Sequence, residues 1–424
     1  MEIFIKNIGK VREANIKIDG ITVIAGENDT GKSTISKSLY AVFNTFYKIN
    51  KKIKIQKIEK IHDELEEKLG IYIPCLYLNK NIKKILSDKA YINKKIIEDI
   101  NEQNVVITFY KNYSSTEELF SELKKISKNI WLEKDVDFIN KLLEAYFNQE
   151  FYTQINNIFT KEVSNIILKI KGYQDINLEV IENKIKLKKE LKIKEFQTKA
   201  LYLDDPLVLD KRHINSYIFS PLHIEGDVGA HTDNLIYNLH KKITPINKIR
   251  INEKFSSIFS KINKKGIGEL TSNIGSSIIE KFFLFENKNA EPLNIKNISA
   301  GLKTFIILKT LLEKGILEEN GVIILDEPEI HLHPAWQVIF AELIVLIQKE
   351  FNMHILLNTH SPYFLNAIEI YAEKHNIKER CNFYSAHLSG QFSEFKDVTD
   401  NIEEIYYKLA RPFQDLENER YSDD

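Results

Sequence analysis

Residues 26 to 33 read Gly26-Glu27-Asn28-Asp29-Thr30-Gly31-Lys32-Ser33, followed by Thr34. A G-x-x-x-x-G-K-S run is a phosphate-binding loop when an apolar strand precedes it and a helix follows. Its glycines let backbone N–H groups curl around phosphate oxygens. Lys32 reaches the β- and γ-phosphates, and the Ser33 hydroxyl is placed to hold Mg²⁺. A second run, Val322-Ile323-Ile324-Leu325-Asp326-Glu327-Pro328, ends four apolar residues in two adjacent carboxylates. This is a Walker B strand with a second acid. Asp326 emerges at the strand end to orient Mg²⁺ through water, while Glu327 points the other way and can polarise water as a general base. Two carboxylates with distinct roles imply hydrolysis of a bound nucleoside triphosphate.

Each group needs an element to position it. Ile21 to Ala25 form a short apolar run of the kind buried on both faces of a parallel sheet. Ile35, Leu39, Val42, Phe43 and Phe46 then recur at helical spacing, so the helix after the loop packs on that sheet and offers its N-terminal dipole to phosphate. Ile298-Ser299-Ala300-Gly301-Leu302-Lys303 opens another helix, carrying Phe305, Leu308, Leu311 and Leu312. Alone, that turn reads equally as a helix cap or an anion site. Its place between the two nucleotide motifs favours the second. His360 follows the apolar strand Ile355 to Leu357.

The fold class expected is α/β, with one folding unit interrupted by a long middle. Residues 1–47 and 280–424 form the head, with some of its strands drawn from within 160–280. Residues 48–280 form a largely helical insertion, in which Ser114-Ser115-Thr116-Glu117 reads as a capping box. Lys184-Ile185-Lys186-Leu187-Lys188 alternates strictly, placing lysines on one strand face. They are either edge guards or phosphate-backbone contacts for nucleic acid. Lys48 to Lys60, followed by Glu59, Asp63, Glu64, Glu66 and Glu67, reads as an exposed charged helix. With 59 basic and 60 acidic residues among 424, no whole-chain field draws the protein to nucleic acid or membrane. Cys75 and Cys381 are far apart and form no C-x-x-C pair, which fits a reducing cytoplasm. No signal peptide or membrane-spanning run is read.

The order of phosphate loop, long insert, S-x-G turn, I-L-D-E-P and T-H-S-P resembles the ABC-type P-loop ATPases, the class that includes SMC and RecF proteins. Glu327-Pro328-Glu329-Ile330-His331-Leu332-His333-Pro334 and Asn358-Thr359-His360-Ser361-Pro362 are most similar to the OLD (overcoming lysogenisation defect) group. Its relatives include the ATPase subunits of the Septu and PARIS antiphage systems. The resemblance implies that ATP and Mg²⁺ are the ligands and that Ser299, Gly301 and Lys303 meet the γ-phosphate of an opposite protomer in a homodimer or larger assembly. It implies that His360 senses γ-phosphate as a neutral imidazole. Ala300 and Leu302-Lys303 depart from the common ABC signature. His331 and His333 read as packing and interprotomer residues, with a shared metal as the weaker alternative. His213, His223 and His231 have no role derivable from sequence. A water-positioning glutamine is expected, with Gln103, Gln149 and Gln154 as candidates. The segment after His360 is too short for a Toprim nuclease domain of about a hundred residues. The resemblance therefore implies a cytoplasmic ATPase controlling a separately encoded nuclease or toxin, with a RecF- or SMC-like DNA-repair ATPase acting directly on DNA, or a nucleotide-locked scaffold without turnover, as the alternatives.

Overall fold

The computed structural model describes residues 1–69, 71–72, 108–109, 116–189, 194–210, 213–214, 230–241, 245–256, 259–260, 269–274, 280–287 and 290–422. The chain opens with β1 (Glu2–Ile8), β2 (Val11–Lys17), β3 (Ile21–Gly26), α1 (Lys32–Phe46) and α2 (Ile49–Glu64). Next come β4 (Ile71–Tyr72), β5 (Thr108–Phe109), α3 (Thr116–Leu132) and α4 (Asp135–Phe151). Strands β6 (Ser164–Lys169), β7 (Ile176–Ile181), β8 (Lys184–Leu187), β9 (Ala200–Leu203) and β10 (His213–Ile214) precede α5 (His231–Leu239) and α6 (Pro245–Lys254). Then follow β11 (Glu269–Ile274), β12 (Glu280–Asn287), β13 (Ala290–Asn294), α7 (Ala300–Glu313), β14 (Val322–Asp326) and α8 (Pro334–Phe351). The chain closes with β15 (His354–Thr359), α9 (Pro362–Lys374), β16 (Cys381–Ser389), β17 (Phe392–Asp397) and α10 (Glu403–Ser422).

Two compact units share these elements. The head comprises Met1–Tyr47, Leu143–Ile214 and Val228–Asp424. Its 11-stranded sheet runs β8-β7-β6-β1-β2-β17-β16-β3-β15-β14-β9. The five strands from β16 to β9 are parallel and buried, whereas the β1, β2 and β6 to β8 portion is antiparallel and alternates buried and exposed residues. Every residue of β3 and of β14 is buried, as continuous apolar runs in a covered parallel sheet should be. One core cluster joins Val23, Ile323, Leu325 and Leu357 of the sheet to Phe305, Leu311, Phe340, Phe364 and Ile368 of α7 to α9. Each such side chain contributes about 1.5–3 kcal/mol on burial.

Register does the functional work. Ala25 pairs Thr359, Asn358 pairs Asp326, and Leu325 pairs Leu203. The C-terminal ends of four parallel strands therefore fall in line, which is where α/β sheets place their ligands. At the opposite flank β8 is a terminal strand, with Ile185 and Leu187 buried and Lys184, Lys186 and Lys188 exposed. Within the head, β10 to β13 make a separate antiparallel group in which β12 is central. Strands β16 and β17 form an antiparallel hairpin whose turn carries Gly390 at φ +64°. From Asp415 the acidic stretch continues α10, with residues 415–420 exposed.

The second unit comprises Lys48–Leu142 and Asn215–Asp227, so the chain rejoins the head at Leu143, well before the boundary at 280 expected from sequence. Its described part is mainly helical. The Lys48–Lys60 helix is not a solvated one, because Ile53, Ile55, Ile58 and Ile61 are buried. Lys57 is buried too, donating to Asp135 Oδ1 at 2.6 Å and to the Glu133 carbonyl at 3.2 Å. Helix α3 starts at Thr116 as the capping-box pattern predicts; Ser114 and Ser115 lie outside the described residues, as does Cys75. No helix among the described residues is long and apolar enough to cross a membrane.

Candidate functional site

The loop between β3 and α1 is shaped by two left-handed residues, Asp29 at φ +64° and Gly31 at φ +78°. A side chain at Gly31 would stand 3.0 Å from Val11 Cγ2 and 3.1 Å from Ser393 Oγ, so only glycine fits without displacement. Thr30 Oγ1 donates to the Glu27 carbonyl at 2.7 Å. Lys32, almost fully buried, donates to the carbonyls of Gly26 at 3.0 Å and Glu27 at 2.7 Å. Ser33 is exposed on the first turn of α1, where no acidic side chain offsets the positive helix end. Glu27, Asn28 and Asp29 are exposed, and Asp29 pairs with Lys10.

Asp326 ends β14 and is 6% exposed. Its two oxygens have one donor each: Tyr202 Oη gives to Oδ2 at 2.7 Å, and Asn358 Nδ2 gives to Oδ1 at 2.8 Å. Asn358 Nδ2 also donates to Ser36 Oγ at 2.8 Å. Glu327 turns out of the strand with φ +51°, its N–H donating to the Asn358 carbonyl at 3.0 Å. Its carboxylate then stands between the Lys32 ammonium, Nζ at 3.6 Å, and the His360 ring, Nδ1 at 3.5 Å. The histidine contact holds the Glu327 carboxyl below its ordinary value, against partial burial, and Lys32 adds to the effect. In return Glu327 raises His360. The neutral imidazole expected from sequence therefore meets a carboxylate that favours its protonated form.

Glu329 supports this group from beneath. It is 1% exposed, accepts from Thr359 Oγ1, and accepts from the His360 N–H at 3.3 Å. Burial pushes its carboxyl up, and its Oε2 is buried without a partner. Gln337 accepts from Ser361 Oγ at 2.8 Å and donates to the Leu332 carbonyl at 3.0 Å, tying α8 to the turn after His360.

The other side of Asp326 is lined by residues the sequence reading did not find. His231, at the start of α5, is 8% exposed and is bonded through its backbone N–H and both ring nitrogens. Its backbone N–H donates to Glu150 Oε1 at 2.9 Å, its Nδ1 lies 2.7 Å from Glu150 Oε2, and its Nε2 lies 2.9 Å from Asp204 Oδ2. Burial opposes charge on this ring, yet the hydrogen bonds to Asp204 and Glu150 hold it up at about 9. His231 stacks on Tyr202 with centroids 4.3 Å apart. A signal existed in the sequence: Leu201-Tyr202-Leu203-Asp204-Asp205-Pro206 repeats the form of Ile324-Leu325-Asp326-Glu327-Pro328, an apolar run ending in two acids and proline. The two runs are parallel neighbours in the sheet.

The structure brings Lys32, Asp326, Glu327 and His360 together at one edge. The S-x-G turn is placed differently. Ser299 is exposed, but a side chain at Gly301 would lie 2.6 Å from the His331 carbonyl, so this glycine serves close packing within the head. Lys303 is turned inward, 1% exposed, and ion-paired with Asp210 at 2.7 Å rather than displayed to a partner. His333 caps α8 by accepting from Ala335 N–H at 3.3 Å, and among the described residues no group of three or more metal-binding side chains exists. Gln149 and Gln154 are exposed, and Gln103 lies outside the described residues, as does His223. The polar side chains beside Asp326 are instead Tyr202 and Asn358, each donating to its carboxylate.

These residues fit a nucleotide and its metal on their own chemistry. The loop takes positive φ at Asp29 and Gly31, Lys32 is held by loop carbonyls and Glu327, and among the described residues the Asp326 carboxylate has one donor per oxygen with lone pairs to spare.

Comparison with known proteins agrees. The chain is 24% identical over 386 residues to the endonuclease GajA of Bacillus cereus (strain HuB5-5), covering 82% of this chain and 52% of that protein. It is 22% identical over 385 residues to the retron Vc95 probable ATPase of Vibrio cholerae, covering 82% and 67%. It thus spans about half to two thirds of the length of these relatives. Among solved structures, the SMC head domain of Thermotoga maritima aligns over 94% of this chain and 98% of that one, at 10% identity and a TM-score of 0.38. Residues 21–366 match the family described as AAA domain, putative AbiEii toxin, Type IV TA system. That span holds the phosphate loop, Asp326, Glu327 and His360, and with it the chain belongs to this family of P-loop ATPases.

Proposed function

We propose that the head is a Mg²⁺-dependent ATPase which pairs with a second copy around bound ATP and thereby controls a separate nuclease or toxin in antiphage defence. The observation that carries the reading is the position of Glu327, 3.6 Å from Lys32 Nζ and 3.5 Å from His360 Nδ1 at the sheet edge. Lys32, now bonded to Gly26 and Glu27 carbonyls, exchanges those acceptors for phosphate oxygens. Ser33 and Asp326 would hold the magnesium ion, which would supply neutralisation of the charge on the phosphates. Glu327, ionised at neutral pH, orients water and accepts its proton; His360, close to Glu327 Oε2, steadies that carboxylate. Thr359 and Glu329 fix the turn that carries His360.

Ser299 is exposed at the start of α7 and is the residue of the turn available to a partner's nucleotide; Gly301 keeps the turn seated on His331, and Lys303 supports it from within. The similarity to GajA and to the retron Vc95 ATPase supports the defence setting.

The deciding experiment is Glu327→Gln in the full chain purified with its natural gene neighbours. Phosphate release should stop while ATP binding persists, and mass photometry should reveal accumulated ATP-bound dimer or larger assembly with a second protein kept or released according to nucleotide. Unchanged phosphate release in this variant sinks the assignment. DNA-stimulated, salt-sensitive turnover lost on neutralising Lys184, Lys186 and Lys188 would instead assign the protein to direct action on nucleic acid.

A further inference from the structure

Asp326 sits between two neighbouring strands, and each neighbour sends it one donor. From β15 comes Asn358, to Oδ1; from β9 comes Tyr202, to Oδ2. A carboxylate held in this way keeps its plane fixed while leaving the remaining lone pairs for other partners. Asn358 needs no further support because it is also bonded to Ser36 on α1. Tyr202 is a different matter: a phenol reaches its acceptor at the end of a rigid lever, so its ring must be held still.

The ring is held on two sides. Tyr40, on α1, lies 6.0 Å away at an interplanar angle of 57°. His231 stacks on it at 4.3 Å and 26°, and Tyr40 meets His231 edge-on at 6.0 Å. His231 itself cannot rotate, because its two ring nitrogens and its backbone N–H are bonded to Glu150 and Asp204. Glu150 is 2% exposed and lies on the last turn of α4. Two carboxylates therefore clamp one imidazole, which seats one phenol, which aims one hydroxyl at the Walker B aspartate. None of the four is needed to fill the core: leucine or phenylalanine would do so without the cost of burying polar groups.

We propose that Tyr202, seated by the Glu150–His231–Asp204 clamp, is the positioning residue that fixes the Asp326 carboxylate for the magnesium of the bound nucleotide. It rests on the nucleotide-binding reading above and deepens it. Tyr202 touches neither nucleotide nor metal; it acts through Asp326. Without the hydroxyl, Oδ2 is left buried and unpaired, and the carboxylate is free to turn from the direction in which it meets the metal.

The test is a titration of the full-length protein with a fluorescent ATP analogue, first in EDTA and then at fixed nucleotide with increasing Mg²⁺. Tyr202→Phe deletes one oxygen and keeps the stack. Nucleotide affinity in EDTA should match wild type, while the Mg²⁺ concentration giving half the metal-dependent gain should rise about tenfold, as expected for one hydrogen bond to a charged group. Glu150→Gln keeps the hydroxyl but loosens the clamp; it should shift the same midpoint about threefold, and add nothing further in the Tyr202→Phe background. An unchanged Mg²⁺ midpoint in Tyr202→Phe overturns the proposal, as does an equal loss of affinity with and without Mg²⁺. So does full additivity of the two changes. Failure of the nucleotide reading itself looks different: wild-type protein would then bind no analogue under either condition.

Discussion

The His231 clamp makes the stability of the head depend on pH in a direction that can be worked out beforehand. In the folded head the imidazole titrates at about 9, whereas an unfolded chain returns it to 6.5. The folded state therefore binds more protons than the unfolded state across that interval, and stability falls as pH rises through it. The contribution is complete below about pH 6.5 and gone above about pH 9. At about 1.36 kcal/mol per pH unit, the interval amounts to about 3 kcal/mol. Replacement by glutamine removes the titration and leaves a polar side chain between Glu150 and Asp204. Urea unfolding of wild type and His231→Gln should be followed at several pH values from 6 to 10. The two tryptophans separate the units: Trp131 belongs to the second unit, whereas Trp336 packs on Phe305 in the head at 5.2 Å. A Trp131→Phe background leaves Trp336 as the head's reporter. The stability advantage of wild type should shrink by about 3 kcal/mol between pH 6.5 and 9. Equal pH slopes in the two proteins would refute the charged clamp.

Two further outcomes follow from packing around the S-x-G turn. Gly301→Ala places a methyl group 2.6 Å from the His331 carbonyl and 3.1 Å from Leu332 Cδ2. It should cost about 1–3 kcal/mol and lower the melting temperature of the protein by about 2–6 °C; a melting curve identical to wild type would show that the turn has room to move. Lys303→Met strands Asp210, which is 29% exposed, so the cost should be about 1–3 kcal/mol rather than the 3–5 of a fully buried pair. Adding Asp210→Asn should recover much of it in urea unfolding, whereas a lysine acting only across a dimer would leave the folding stability of the monomer untouched.

The parts legible in the sequence are those whose chemistry is contiguous. Strand β3, its loop and α1 occupy one unbroken stretch, so the spacing of Gly26, Gly31 and Lys32 already contains the cradle. The apolar run of β14 likewise announces Asp326 and Glu327 by ending in them. Glu150, Tyr202, Asp204 and His231 come from α4, the end of β9 and α5, far apart in sequence, and they reach Asp326 because β9 pairs with β14. The hidden return of the chain to the head at Leu143 has the same origin. Tyr146 and Phe147 are buried on the head portion of α4, but that helix begins in the second unit, and no proline or glycine marks the crossing. Lys303 shows the converse limit. Its motif position implies a surface role, while its burial is decided by Asp210, which lies 93 residues away.

Asn358 ties these observations together, and it explains how adjacent acids come to do different work. Successive strand residues point to opposite faces, so Asp326 and Glu327 would diverge in any extended chain. Divergence alone does not aim Glu327 at Lys32 and His360, however. That aim needs the left-handed turn at φ +51°, a conformation that costs a glutamate of order 1–3 kcal/mol and persists only where neighbours enforce it. The enforcement comes from the Asn358 carbonyl, which accepts the Glu327 N–H at 3.0 Å. The side-chain amide of the same residue holds Asp326 and Ser36. One asparagine on the strand between the phosphate-loop strand and β14 thus sets the Asp326 carboxylate, the turn that carries Glu327, and the helix behind the phosphate loop. Its own neighbours, Thr359 and His360, are fixed by Glu329. The geometry of the candidate site is accordingly a property of β15 as much as of the two motifs that flank it.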